Sequence, residues 1–293
     1  MLHVRNAVEE PLENISDTGR NASADFHQDW ERLLFLRRQG VAVRFTEVWE
    51  DTRRLATMLL EESDGSWFMW KGPTGVPDPE VLGRLLTDIA RLSPVTLVLQ
   101  PPWALPGVLA EHGFRLGPEF TTLLVDATGT DEQILARMRP STRGRVRRAL
   151  RHGFTFTDDP GLLDRFHPFY TAAMRDADSP DFAPLEYLRD LLELERVHLF
   201  GAVYGTEMAA GSVCLVNGDA VESRYVATNP AYRSQAALNF VHFQTMKWAA
   251  ERGLRHLDLS GIDTGETSEK TRLINRFKLG FGGSEFRYVT YSR

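Results

Sequence analysis

The chain of 293 residues contains one cysteine, Cys214. An internal disulfide is thereby excluded, and a reducing cytoplasm is the expected compartment. Cys214 lies in the apolar run SVCLV with no basic residue beside it, a pattern that predicts a buried, inert thiol and not a nucleophile. No apolar run approaches the ~18 residues that a membrane span needs. The N-terminal stretch MLHVRNAVEEPLENISDTGR is acidic and polar, without the basic start and apolar centre of a secretion signal. Also missing are a Gly-x-Ser-x-Gly elbow and any Cys/His group at metal-ligand spacing, so neither a serine nucleophile nor a metal is expected. Lysine is scarce as well: of 34 basic residues only Lys71, Lys247, Lys270 and Lys278 are lysine. That bias is compositional, but it makes each lysine worth attention.

What remains is ordinary globular composition, with 42% apolar and 25% charged residues. The net charge of −6 argues against indiscriminate nucleic-acid binding, and no DNA partner is expected. The length suits one large or two ordinary domains. Low hydrophobicity and breakers make residues 1–25 a poorly ordered N-terminal arm. A helix is expected near 29–39 and a strand over 41–48. Two further strands, 55–63 and 66–72, flank Asp64-Gly65, the strongest short hairpin signal in the chain. A helical spacing over 79–92, a buried strand at 95–100, a short helix at 105–112 and a strand at 120–126 complete a mixed α/β first half.

From Asp131 to Gly153 the composition changes. The segment holds seven arginines, at 137, 139, 143, 145, 147, 148 and 151. Pro140 interrupts the helix and Ser141 or Thr142 can cap its continuation. We place a domain boundary here, giving domains at 26–138 and 139–293. Two readings stay open: a solvated connecting helix, or an anion-facing helix whose guanidinium forks suit phosphate.

The last third reads as one unit. After a helix at 162–177, another at 185–195 and strands at 197–205 and 208–218 comes ESRYVATNPAYRSQAALNFVHFQTMKWAAERGLRHLDLSGID, then NRFKLGFGG. This is a strand, a turn, a long helix over 231–252 stopped by Gly253, a second strand, and a short segment carrying Phe277-Lys278. The turn opening the long helix is Arg233-Ser234-Gln235-Ala236-Ala237, without the glycines that bring backbone close to a pyrophosphate.

In that order and spacing, Lys71-Gly72-Pro73, the arginine helix at 143–153, ESRYVATNPAYR, HLDLSG and NRFKLGFGG resemble the Fem-type aminoacyltransferases. These are relatives of GNAT acyltransferases built from two GNAT-like domains in tandem. The resemblance spans residues 40–293 and implies two mixed α/β domains, an acceptor side followed by an acyl-donor side. It implies transfer of an amino acid from a charged tRNA to an amine, with the tRNA as co-substrate and no other cofactor. The acceptor would be a peptidoglycan precursor, or an antibiotic peptide or nucleoside. The chain lacks the long helical arm of larger bridge-forming members, which bears on the acceptor more than on the donor. Two alternatives remain open: an acyl-coenzyme A-dependent N-acyltransferase with a variant phosphate turn, and a GNAT-like binding module without catalysis.

An aminoacyl ester is already activated, so alignment, oxyanion stabilisation and the handling of one proton suffice. By the family's Phe-Lys motif, Phe277 would meet the donor's terminal nucleotide and Lys278 the ester carbonyl; otherwise Lys278 is a lysine snorkelling over core aromatics. Asp258 and Ser260 end a strand, where open α/β sheets place ligand groups, although Asp258 equally suits tying down the next loop. Arg224 and Tyr225 lie where GNAT-like folds expose the acyl group; a surface salt bridge is the alternative for Arg224. Asn229 and Arg233 flank the helix start and are candidates for tRNA phosphates, Asn229 being also an ordinary capping residue. Arg143, Arg147, Arg148 and Arg151 are candidates for the tRNA backbone. Lys71 is a candidate acceptor ligand, or an edge lysine that protects a strand. Phe166, Phe169 and Tyr170 follow helical spacing and read as core. No general base stands out, so proton removal would fall to the substrates or to water.

Overall fold

Strand alternation and turn chemistry dictate the first sheet. The computed structural model describes residues 2–6, 25–176, 182–263, 265 and 268–293. It divides into two compact units, Met1–Phe120 with Arg287–Arg293, and Thr121–Phe286.

The first unit contains β1 (Leu2–Asn6), helix α1 (Trp30–Arg38), β2 (Val43–Glu50), β3 (Arg53–Ser63), β4 (Ser66–Gly72), the short β5 (Thr74–Gly75), α2 (Pro79–Asp88), β6 (Val95–Leu99), α3 (Pro106–Glu111) and the short β7 (Arg115–Leu116). Its strands run in the order β1-β2-β3-β4-β6, followed by residues 289–292. The hairpin turn between β3 and β4 has φ of 52° at Asp64 and 77° at Gly65, the positive pair that a two-residue hairpin needs. Helix α2 starts with Asp78 accepting from the Glu80 and Val81 amides at 2.8 and 3.1 Å, with Pro79 at its first position. Such a cap contributes about 1 kcal/mol. The helix buries Val81, Leu82, Leu85 and Leu86 on the sheet, each contributing roughly 1.5–3 kcal/mol. The expected loose arm begins as a strand, since Leu2–Asn6 pairs with Glu50–Thr46 in register. Backbone pairing holds it, which composition does not register. The rest of that arm, residues 7–24, lies outside the described residues.

The second unit contains β8 (Phe120–Asp126), α4 (Asp131–Arg137), α5 (Pro140–His152), β9 (Thr155–Asp158), α6 (Leu163–Arg175), α7 (Leu185–Leu191), β10 (Val197–Tyr204), β11 (Glu207–Asn217), β12 (Ala220–Thr228), α8 (Ala237–Glu251), β13 (His256–Gly261), α9 (Glu269–Leu279) and β14 (Ser284–Ser292), whose second half belongs to the first unit. The strand order is β8-β13-β12-β11-β10-β9, with β12 and β13 parallel and joined through α8. Phe240, Val241, Phe243, Met246 and Ala249 of α8 are buried in one core with Val221, Leu257 and Phe281. Helix α5 packs on α8 through Thr142, Val146 and Ala149, which are buried at i, i+4 and i+7. Helix α6 lies on β11 and β12, where Gly211 makes room: a Cβ there would stand 2.7 Å from the Phe166 ring.

Three expectations shift. The division falls at Phe120/Thr121, so the expected boundary at 138/139 lies inside the second unit; β8 joins β13, a choice of partner that strand alternation cannot reveal. The long helix starts at Ala237, not 231, because Pro230–Gln235 forms a separate 3-10 turn closed by Ala236 at φ 60°. Phe277 and Lys278 lie near the end of an eleven-residue helix, α9, and not on a short segment. Ser268 caps this helix by accepting from the Thr271 amide at 3.1 Å, and its two exposed apolar residues, Leu273 and Ile274, hide the usual periodicity.

Candidate active site at a fork between two parallel strands

The site forms where β12 and β13 separate. Their ladder holds three pairs, Ala220↔His256, Val221↔Leu257 and Glu222↔Asp258, and then stops. Each strand carries an irregularity at that point. On β12, Val213↔Tyr225 and Cys214↔Ser223 leave Arg224 as the extra residue of a bulge. On β13, the pairs Asp258↔Leu124 and Gly261↔Thr122 enclose one residue too many, and Ser260 adopts φ 58°. Left-handed backbone at a non-glycine residue persists only when neighbours hold it. Here Asp258 does so: its carboxylate accepts from the Ser260 amide at 2.7 Å and from the Thr122 hydroxyl. The Ser260 hydroxyl in turn donates to the Ser223 carbonyl at 2.9 Å, bridging the two strands at the fork. Asp258, 3% exposed, and Ser260 therefore shape the fork, and that shape presents the Gly261 carbonyl.

Lys278 of α9 donates to that carbonyl from Nζ at 2.7 Å. Burial pushes its ammonium down to about 8, partly countered by the negative charge of Asp258. An ammonium has three donors, and one is engaged by Gly261. Beneath it lies His242 of α8, 2% exposed, with its ring centroid 5.8 Å from Phe277 and 5.4 Å from Phe281. Burial, followed by the charge of Lys278, drives this imidazole down to about 3. It is neutral at physiological pH, and among the described residues its Nδ1 has no hydrogen-bond partner. His242 was not expected from sequence: a histidine within the apolar run of α8 looks like any other core position. Glu222 is a second omission, fully buried and directly opposite Asp258, with Arg224 Nη1 3.8 Å from its Oε1. Tyr225, next to the bulge, meets Tyr170 and Tyr187 edge-on at 6.1 and 6.5 Å.

The remaining candidates are distributed around this centre. Asn229 caps the 3-10 turn, accepting from the Ala231 amide at 3.1 Å and donating to the Met208 carbonyl at 3.3 Å. Arg233 is exposed on the same turn. Helix α5 packs against that turn, exposing Arg145, Arg147, Arg148 and Arg151, with Arg143 half-buried. Arg147 is paired with Glu132 at 2.9 Å. Phe166 and Tyr170 are core, as expected, and Phe169 is half-buried. Cys214 is fully buried, and desolvation pushes its thiol up to about 12, which removes thiolate chemistry.

In the first unit Lys71 is only 1% exposed, at φ 53°, with Nζ 5.8 Å from the Trp70 ring centroid and 5.4 Å from that of Tyr288. Strand β4 lies between β3 and β6, so the alternative of an edge-protecting lysine is overturned.

The second unit, with a parallel pair forking beside a bulge and a long helix, has a GNAT-like fold. Residues 136–278 match the family model of the acetyltransferase (GNAT) domain. Over nearly the whole chain the fold is a tandem of GNAT-like domains, similar to that of FemX. The crystal structure of FemX superposes with a TM-score of 0.76 over 92% of this chain and 92% of that one, at 14% identity. The C-terminal domain of a protein assigned as a lysylphosphatidylglycerol synthetase from Agrobacterium fabrum gives 0.62, at 14% identity, over 94% of this chain and 88% of that one. A tandem GNAT protein from the clavulanic acid biosynthesis pathway gives 0.53, at 12% identity, over 90% and 87%. Among curated proteins no match was found. Among the described residues no helix is long and apolar enough to cross a membrane.

Proposed function

We propose that this chain is an aminoacyltransferase that moves an amino acid from a charged tRNA to an amine, forming an amide. The observation that carries this is Lys278, a half-buried ammonium held at the fork on a Fem-type fold. The turn before α8 points the same way. Where an acyl-coenzyme A enzyme would bring glycine backbone close to a pyrophosphate, this chain has Arg233-Ser234-Gln235-Ala236, with the methyl group of Ala236 buried at a left-handed position.

The amine nitrogen attacks the ester carbonyl carbon, a C–N bond forms, and the C–O bond to the terminal ribose breaks. The proton lost by nitrogen ends on the departing ribose oxygen. Lys278 donates to the carbonyl oxygen as negative charge develops, a contribution of about 3–4 kcal/mol for one such donor. Asp258 and Ser260 act through position: they hold the bulge that presents Gly261 to Lys278, and the charge of Asp258 favours the ammonium. Arg224 and Tyr225 flank the acyl group, and Phe277 meets the terminal nucleotide. Arg143, Arg147, Arg148, Arg151 and Arg233 serve the tRNA backbone, with Asn229 holding the turn. Lys71 serves the acceptor side, whose substrate is a peptidoglycan precursor or an antibiotic peptide or nucleoside. Charged tRNA makes the cytoplasm the site of action.

The match to an acetyltransferase model favours one rival, an N-acyltransferase using acyl-coenzyme A. Incubation with a pool of radiolabelled aminoacyl-tRNAs, with and without ribonuclease, alongside radiolabelled acetyl-coenzyme A and a panel of amines, separates the two. Ribonuclease-sensitive amide formation is the expected result; product from acetyl-coenzyme A alone would overturn the tRNA donor.

A further inference from the structure

A second feature of the donor unit is an exposed aromatic surface at the end of the arginine helix. Helix α5 carries five arginines and no acidic residue, in a chain whose net charge is −6. Among the described residues no carboxylate pairs with Arg145, Arg148 or Arg151. At the C-terminal end of this helix, the His152 ring is stacked on Tyr204 with centroids 5.0 Å apart and planes at 30°. Tyr204 ends β10 and is 46% exposed, a large apolar surface left open beside charge. Tyr232, on the 3-10 turn next to Arg233, approaches Tyr204 at 6.1 Å. Phe154 supports the group from below, 6.3 Å from Tyr204 and 6.2 Å from Tyr232. Glu207 accepts the Tyr232 hydroxyl at 2.7 Å and so anchors the platform.

We infer that Tyr204, with His152 and Tyr232, forms a base-stacking platform that, together with Arg148, Arg151 and Arg233, binds the single-stranded 3′ end of the donor RNA. Interleaved aromatics and arginines are what unpaired nucleotides need: a π-face for each base and a cation for each phosphate. A folded duplex offers no free base to such a surface, and a lipid headgroup has no ring to stack. The location fits a strand running toward the fork. Seven residue steps along β12 and its turn lead from Tyr225 to Tyr232, a span of at most about 23 Å at ~3.3 Å per residue. Several nucleotides cover that interval with the terminal ribose at the fork. The inference rests on the tRNA-donor reading and adds to it the residues that recognise the unpaired end.

The test measures fluorescence anisotropy of a labelled single-stranded oligoribonucleotide ending in CCA, a blunt RNA duplex of equal length, and phosphatidylglycerol vesicles. Wild type is compared with Tyr204→Ala, Tyr204→Phe and Arg151→Ala, with melting curves as the folding control. Wild type should prefer the single strand. Tyr204→Ala should weaken it by about 5- to 150-fold, the range carried by stacking one base. Tyr204→Phe keeps the ring and should bind as wild type does. Arg151→Ala should lower the salt slope by about 0.7. Equal binding of duplex and single strand, an unaltered affinity in Tyr204→Ala, or retention on vesicles without RNA binding would each overturn the platform. Transfer assays on the same variants keep the two claims apart. Single-strand binding lost in Tyr204→Ala without any tRNA-dependent transfer sinks the donor reading and leaves the platform. Transfer with a wild-type KM in Tyr204→Ala sinks the platform and leaves the donor reading.

Discussion

Lys278 is set between two opposing influences, burial that disfavours its charge and Asp258 that favours it, and the balance lies at about 8. If the ammonium is the acting form, kcat/KM falls as pH rises through that value, whereas a basic lysine would make it rise. Lys278→Arg keeps the charge at every accessible pH, so its residual activity should lack the descending limb; pH–rate profiles of the two proteins check this. His242 supplies a second prediction with the sign worked out. Its folded value, about 3, lies below the ordinary 6.5, so between those limits the unfolded chain binds the extra proton. Stability is therefore lost as pH falls from 6.5 toward 3, by up to about 1.4 kcal/mol per pH unit from this group. His242→Phe removes an unpartnered Nδ1 from among Phe277 and Phe281, and such replacements are neutral or stabilising. Urea unfolding at pH 7 and pH 4.5 should show the variant equal or more stable, with the larger advantage at the lower pH.

At the scale of elements, the turn that opens α8 is the revealing one. Ala236 holds φ 60°, a conformation that costs a residue with a Cβ about 1–2 kcal/mol. Ala236→Gly should therefore raise the urea midpoint by the equivalent of about 0.5–1 kcal/mol after the loss of one buried methyl group. Much of the fold was legible at this scale. Asp64-Gly65 identified its hairpin because two positive φ values demand such a pair, and Gly253 stopped α8 as expected. Gly280, Gly282 and Gly283 could stand for a flexible loop or for tight packing, which composition does not distinguish. A Cβ at Gly282 would lie 2.0 Å from the Arg137 carbonyl oxygen, so these glycines mark close packing. Lys278, Asp258 and Ser260 could be picked out as a rare lysine and a strand end. Their mutual arrangement could not, because it depends on two bulges and one left-handed serine that no periodicity encodes. His242 was invisible for a related reason: a polar residue in an apolar run carries no sign of what it faces, and Glu222, followed by Ser223 and Arg224, looks like any surface carboxylate on a strand.

For the molecule as a whole, the chain returns at its end to the unit in which it began. Residues 289–292 pair with β6, and the Arg293 and Val95 backbones exchange bonds at 3.0 and 3.1 Å. The Arg293 guanidinium lies 4.7 Å from the Phe114 ring centroid and donates to the Ile89 and Leu92 carbonyls. Truncation after Phe286 should lower the melting temperature of the first unit, as read by proteolysis within 26–120. The central claim belongs to this scale too, since it concerns a donor larger than any site on the chain. The most direct measurement is single-turnover transfer from a purified aminoacyl-tRNA to an amine acceptor, by wild type and by Lys278→Ala. Amide should form with the wild type and slow by about 10²- to 10³-fold in the variant, with a melting curve as the folding control. Transfer at an equal rate in both, or an inert aminoacyl-tRNA beside a reactive acetyl-coenzyme A, would contradict it.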